Sequence, residues 1–498
     1  MKNLSLFVIA LLVCSFTVQS QAQNISETRI FQPVEMQQDF NYLRKVLEDT
    51  HPGLYMHHTR EAMQYKMDSL YNLLDKPIDF PGFYKIIAYL VAEIKCEHTY
   101  CNPYSDDYNQ RMIQWKLIPM QLFFTNNKAY VTVNRTTDTS IHPGDEVLSV
   151  NHYPIDSIMH EIYKYIPSDG YMESSKESMI SNMAFNIYYY LYIERPEAFD
   201  IEFRNAQGEI STRHFATELA MSENNKLAVT NPANKEILEL DKKESKNRKN
   251  PWRLEIIKDK NTAIMTIRTF GGDREKLFKQ YDKFFTTLQK EKTRNLIIDL
   301  SYNDGGDEEY ACELLSYLIQ SPTRFIESEY LINDDTAYLK ISNLPKDILE
   351  NKNAFIDTIK DGKIYAKALT KYSLELKTFD PKLNRFRGNV YFYVNGGTSS
   401  AASTCAANAQ SHGLATIVGN ETAGCFAGGG STNGLDLVLP NSKITAHTSI
   451  LYCKFATSGK DKDRGVIPDY YFVPAFRDLV TGNNTWKGFI YNLIERKN

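Results

Sequence analysis

The sequence has no surplus of basic charge. Its 57 Lys and Arg residues against 61 Asp and Glu leave a net charge of −4. That balance offers no electrostatic footprint for nucleic acid and no charged tail for a membrane surface. Cysteine is scarce: seven in 498 residues exclude a disulfide scaffold. No two cysteines have the C-x-x-C spacing of a zinc site, so no metal and no cofactor are expected. Beyond the N-terminus no run of about 18 apolar residues occurs, and no membrane span is predicted. Fixed-period repeats and low-complexity tracts are also missing. What is there is a globular composition, 42% hydrophobic and 12% aromatic, long enough for two to four domains.

The N-terminus "MKNLSLFVIALLVCSFTVQSQAQ" has one Lys, an apolar run from Leu4 to Val18 and a small-x-small site at Ser20-Gln21-Ala22. It reads as a secretory signal peptide over residues 1–22. Val13 stands where a lipoprotein signal wants a small residue, so Cys14 is not read as a lipidation site. Export to the periplasm or beyond the cell is expected, and it leaves six cysteines in the mature chain.

From Met36 to about Lys95, apolar residues recur at three- and four-residue spacing, which predicts three or four amphipathic helices ending at "CEHTYC". The next segment is β-rich. "IPMQLFFT" and "KAYVTVNR" have strand length, "IHPGDEVLSVNHYPI" is a Pro-Gly-Asp turn, a strand and a second turn, and "FDIEFRNAQGEISTRHF" is a hairpin. A helical insert occupies Ile155 to about Ile193. The charge run "ELDKKESKNRKNP", Glu239 to Pro251, reads as a solvated linker. The remainder alternates strand and helix: "TAIMTIRTF", "REKLFKQYDKFFTTLQKE", "NLIIDL", "EEYACELLSYLIQ", "NVYFYVN", a helix from Ser400 to about Ser411, and "LATIVGN". This order predicts a parallel α/β core with right-handed crossovers.

Two glycine-containing turns close strands of that core. "NGGTSSAAST", Asn395 to Thr404, sets serines at a strand-to-helix junction, where the first helical N–H groups face any developing negative charge. Taken alone, Thr398 or Ser399 reads as a helix cap. In "NLIIDLSYNDGGD", Gly305 and Gly306 follow a buried strand, where ligands of parallel sheets sit. Alone, this reads equally well as an ordinary glycine-rich turn.

Taken in order, "NLIIDLSYNDGG", "GGTSSAAS", "VGNETAG", "LPNSKI" and "RGVIPDYY" resemble the core of the S41 serine peptidases, the C-terminal processing proteases and their tricorn-like relatives. "HPGDEVLSVNHYPI" resembles the PDZ segment of these enzymes. The helical start ending in "EHT" resembles the branch related to tricorn and to interphotoreceptor retinoid-binding protein. The resemblance implies an α/β multidomain fold: an N-terminal helical domain over 23–103, a PDZ-like β-rich domain with a helical insert over 104–220, a linker over 221–255, and a ClpP/crotonase-like catalytic core over 256–498.

By the same resemblance Ser400 is the nucleophile, flanked by Ser399 and Ser403, and the oxyanion donors are the N–H of Ala401 and that of Gly305 or Gly306. The processing proteases use a lysine base in a Thr-x-Gly-Lys-Gly loop. Here that loop is Thr422-Ala423-Gly424-Cys425-Phe426, and Cys425 cannot supply an amine. Lys443 and Lys454 lie elsewhere in the pattern. The tricorn-like branch uses a histidine, which maps onto His98, with Glu97 where the branch has a hydroxyl residue. The branch's glutamate maps onto Lys462, so Asp463 or Asp461 is the candidate orienting acid, with Glu97 a further one. Cys96, Cys101, Cys405 and Cys425 then cluster about the site, and bracing disulfides such as Cys96–Cys101 or Cys425–Cys453 are expected.

These residues lead to an exported serine endopeptidase that acts on a peptide or protein substrate through an acyl-enzyme. A PDZ-like module would capture the chain by strand addition. A catalytically silent member that binds peptides or an apolar ligand is the alternative, since fold alone does not settle function. An esterase of small acyl substrates is a third reading.

Overall fold

The computed structural model describes residues 29–103, 115–181, 183–216, 222–368, 373–458 and 463–497. The signal-peptide reading and Asp461 lie outside these residues. Among the described residues no helix is long and apolar enough to cross a membrane.

The chain begins with three helices, α1 (Pro33–Thr50), α2 (Arg60–Asn72) and α3 (Phe80–Glu93). Their buried residues follow the expected helical spacing: Met36, Phe40, Leu43 and Leu47 on α1, and Phe83, Ile87 and Leu90 on α3. Thr59 and Asp79 cap α2 and α3 through their side chains. A short strand, β1 (Tyr100–Asn102), leaves this unit directly after the "EHT" turn.

A second unit is built on an antiparallel sheet of β2 (Met120–Thr125), β3 (Lys128–Asn134), β4 (Glu146–Val150), β5 (Ala198–Arg204) and β6 (Ile210–Ala216), in that spatial order. The helical insert comprises α4 (Ile155–Tyr163), α5 (Glu173–Ile180) and α6 (Met183–Tyr192). It shares a separate apolar core with the sheet, including Leu122, Val131, Ile162, Phe185 and Phe199.

The charge run read as a solvated linker is instead mostly helical. Helices α7 (Ser222–Thr230) and α8 (Lys235–Arg248) surround the buried Asn234. Asn234 Oδ1 accepts the Asn134 N–H at 2.9 Å, and its amide donates to the Asn134 carbonyl at 2.6 Å. Glu and Lys are good helix formers, so a charge run docked through one polar anchor need not be loop.

A mostly parallel sheet runs β7 (Trp252–Ile257), β8 (Thr262–Ile267), β9 (Asn295–Asp299), then, with β10 (Ile326–Leu331) in another sheet, β11 (Asn389–Val394), β12 (Thr416–Gly419) and, later in the chain, Tyr470–Tyr471. Only the β7–β8 pair is antiparallel. Every residue of β8 and β9 is buried, as expected of central strands covered on both faces. Helices α9 (Arg274–Lys290), α10 (Glu308–Ser316) and α11 (Ala401–Ser411) follow β8, β9 and β11. A further sheet contains β13 (Gly428–Gly430) and a strand at Tyr452–Phe455, which pairs with β10.

A strand ladder and a buried carboxylate are among the contacts that dock the N-terminal helices on this core. Strand β1 pairs with β15 (Thr445–Ser449), which itself pairs with β14 (Gly434–Val438); the β1 register is Tyr100↔His447, Cys101↔Ala446 and Asn102↔Thr445. In addition, the buried Asp39 carboxylate of α1 accepts the N–H groups of Asn441 and Ser442, each at 2.7 Å. Asp39→Ala strands both donors. We expect a loss of about 2–4 kcal/mol in a urea titration; an unchanged midpoint and slope contradict this docking.

Candidate active site

Strand β11 ends at Val394, and Asn395 to Ser400 turn the chain into α11. Ser400 has φ 48° and ψ −128°, a left-handed conformation that disfavours a residue with a Cβ. The surrounding turn compels it. Thr398 Oγ1 donates to the Leu300 carbonyl, the Ser399 N–H to the Asn303 carbonyl, and the Ser403 hydroxyl to the Thr398 carbonyl. The Ala423 N–H also reaches the Thr398 carbonyl, at 2.8 Å.

The cap reading of this turn fails. Ser400 occupies the cap position without a side-chain cap bond, and the Ser399 hydroxyl goes elsewhere. A strained serine on a sharp strand-to-helix turn is the arrangement that lifts a hydroxyl out for attack.

The "DGG" turn packs directly on this serine. A Cβ on Gly305 would lie 2.6 Å from Ser400 Cβ and 2.9 Å from the Ala401 nitrogen, and Gly305 has φ +100°. No side chain fits there. The Gly305 N–H is taken by Asn303 Oδ1 at 2.9 Å, so of the two glycines Gly306 is left as the candidate donor beside Ala401. Ala401 opens α11, where no earlier helical carbonyl can receive its N–H.

The "EHT" turn is brought to the same place by β1. Ser399 Oγ–H donates to Glu97 Oε1 at 2.5 Å, between residues 302 positions apart. Glu97 Oε1 lies 3.9 Å from His98 Nδ1, and both side chains are nearly buried. His98 Nδ1 is fully buried and has no hydrogen-bond partner among the described residues. Burial pushes the His98 imidazole below the ordinary histidine range; Glu97 acts against this and His447 with it.

The turn is itself held from three sides. The Gly53 N–H donates to His51 Nδ1, so His51 Nε2 carries the proton and donates to Thr99 Oγ1 at 3.0 Å. The Ser449 N–H donates to the same hydroxyl at 3.1 Å. Burial pushes His51 down to about 4, which keeps it neutral. The third hold is Asp169, buried in the segment before α5. Its Oδ1 accepts the Glu97 N–H at 2.8 Å, and its carboxylate also accepts the Cys425 N–H. Asp169 thus joins the "EHT" turn to the "TAGC" turn. Burial, then the Glu97 charge, hold its carboxyl well above the usual range.

The other expectations have mixed outcomes. Cys425 is buried beside Asp169, Glu97 and Cys96, and pairs through its backbone with Gly465. Asp463 Oδ1 lies 2.7 Å from His57 Nδ1; the carboxylate set against His98 is that of Glu97. All six described cysteines are free thiols, so the expected disulfides are absent. Cys96 faces Gly430 and Thr99, whereas Cys101 lies in the β1 ladder opposite Ala446. Cys453 lies in a ladder between Gly429 and Glu329, away from the Cys425–Gly465 bridge.

Asp169 was not anticipated. It sits in "PSDGYM", a loop with no motif, and only folding brings it to residues 96–98. With it comes a grouping that chain spacing could not reveal: donor atoms of Cys96, His98 and Asp169 lie within 4.8 Å of one another. A polar cavity of about 510 Å³ opens nearby in sequence terms, lined by Asn126, Asn127, Tyr171, Glu177, Glu421 and Arg464.

A strained serine thus stands at the carboxyl end of a parallel sheet, braced by a glycine turn. Residues 261–472 match Peptidase family S41. The match supports a peptidase function. No curated protein matches the chain. Among solved structures, mature CPAF aligns with TM-score 0.62 at 14% identity, covering 93% of this chain and 97% of that one. Mature CPAF complexed with lactacystin aligns with TM-score 0.63 at 14% identity, over 93% and 98%. At that identity the likeness is one of fold. The photosystem II D1 C-terminal processing protease covers 88% of this chain and 93% of its own at 12% identity, with TM-score 0.39.

Glu97→Gln removes the charge that raises the His98 pKa. An NMR titration is expected to show His98 protonating at lower pH in this variant than in the parent; a rise would contradict the geometry.

Proposed function

We propose that the protein is an exported serine endopeptidase of the S41 type, in which Ser400 attacks the scissile carbonyl and His98 takes its proton. The observation that carries this reading is the strained φ of Ser400 with Gly305 pressed against its Cβ. The N–H groups of Ala401 and Gly306 receive the developing oxyanion. His98 then gives its proton to the leaving amine and activates the water that releases the acyl group.

Cys425 cannot serve as the base. Its thiol is buried next to two carboxylates, and burial first, then Asp169 and Glu97, push it up. The Ser399–Glu97 bond and the nearness of Glu97 to His98 support Glu97 as the group that steadies the imidazolium. Asp463 is the alternative, acting through His57 rather than on His98.

The antiparallel sheet of β2 to β6 is assigned the PDZ-like, peptide-capturing role. Its edge strand β6 alternates between exposed and half-buried residues, a surface onto which an extended peptide can add. The cavity beside the β2–β3 turn supports a route for the peptide toward the core. The apolar leader with its small-x-small site supports export.

A fluorophosphonate probe tests the nucleophile. Ser400→Ala is expected to abolish labelling, and His98→Gln to slow it by about 10²–10⁴-fold. Labelling that survives Ser400→Ala overturns the assignment. A folded wild-type chain that takes no label favours the peptide-binding alternative. The base must be neutral, and burial lowers the pKa of His98, so the acid limb of the labelling rate is expected below about pH 6.5. An acid limb above pH 7 contradicts His98 as the base.

A further inference from the structure

Acidic groups converge around the "EHT" turn. Glu97 and Asp169 are two carboxylates joined through one backbone N–H, and the thiols of Cys96 and Cys425 lie beside them. The charge that acts on Asp169 is that of Glu97. Such a cluster is costly to bury without a compensating cation.

Three of its groups are of metal-ligating type, and their donor atoms already converge. One sulfur, one imidazole nitrogen and one carboxylate oxygen, from Cys96, His98 and Asp169, lie within 4.8 Å of one another. Tetrahedral zinc bonds of about 2.0–2.3 Å set donor atoms somewhat closer than that, so rotamer adjustments of about 1 Å would complete the set. Two observations point to a ligand rather than a casual cluster. His98 Nδ1 is fully buried with no partner among the described residues. The Cys96 sulfur is the target of both the Thr99 hydroxyl and the His98 backbone N–H, which work against the upward push of burial on its thiol.

We propose that Cys96, His98 and Asp169 form a binding site for a soft divalent cation of the zinc class, and that its occupation silences the peptidase. The silencing rests on His98 as the general base: a cation on Nδ1 fixes the ring proton on Nε2, which then has no lone pair to take the Ser400 proton. Binding releases the protons of the Cys96 thiol and the Asp169 carboxyl to solvent and leaves a fourth position open to water. The cation therefore acts as a reversible inhibitor made from the base's own turn.

The experiment uses the full mature chain, reduced and stripped with a chelator, and titrated with Co²⁺ as a spectroscopic stand-in for zinc. We expect a thiolate-to-cobalt charge-transfer band in the near ultraviolet, discharged by one equivalent of Zn²⁺. Cys96→Ser is expected to lose the band. Asp169→Asn is expected to weaken affinity by at least about tenfold, and Cys425→Ser to keep the band. No band in the unaltered protein overturns the site, as does a band that survives Cys96→Ser but disappears in Cys425→Ser.

Inhibition is read separately. Zn²⁺ is expected to block fluorophosphonate labelling of the unaltered chain and a chelator to restore it. Labelling indifferent to Zn²⁺ while the cobalt band is present overturns the inhibitory role. Failure of the metal-free protein to label at all sinks the peptidase reading and leaves the cobalt result to judge the site alone.

Discussion

Three residues of antiparallel pairing hold the proposed chemistry together. The ladder of Tyr100–Asn102 on Thr445–Ser449 is the means by which a turn from the N-terminal helical unit reaches a serine 302 positions later than its neighbouring glutamate. Short ladders are weak alone. This one is reinforced by the Thr99 hydroxyl, which receives donors from both His51 and Ser449, and by the two N–H groups that Asp39 accepts. In the site we propose, the helical unit supplies His98 and the core supplies Ser400.

The second constraint is electrostatic. Glu97 bonds Ser399 through its side chain and Asp169 through its backbone, so one residue ties the Ser399–Ser400 turn to the segment before α5. Asp169 then reaches the Cys425 N–H, closing a ring of three turns. A lysine at position 425 would add a cation among these carboxylates. A buried cysteine leaves their charge to be met by protonation of Asp169, or by the cation we propose.

Much of this was legible in the sequence because it depends on local pattern. The alternation of β8, α9, β9, α10, β11, α11 and β12 follows from apolar period and turn residues, and the structure has each of these elements. The glycine turns were legible as turns. That Gly305 must be glycine because Ser400 Cβ lies against it is a tertiary fact.

What was misread depends on packing between distant segments. The charge run after Glu239 looks solvated until Asn234 is seen buried against Asn134. Cys96 and Cys101 are near in sequence, yet their side chains belong to different surroundings. Asp169 carries no motif, and its importance is purely a matter of what it touches. The central claim concerns where the Ser400 proton goes, and histidine nitrogen NMR on the mature chain addresses it directly. With a peptidyl boronate bound to the serine, the account predicts that the resonance missing from His98→Gln moves to the imidazolium position, alone among the ten histidines. A His98 signal that stays neutral in that adduct, or an imidazolium arising at another histidine, would contradict it.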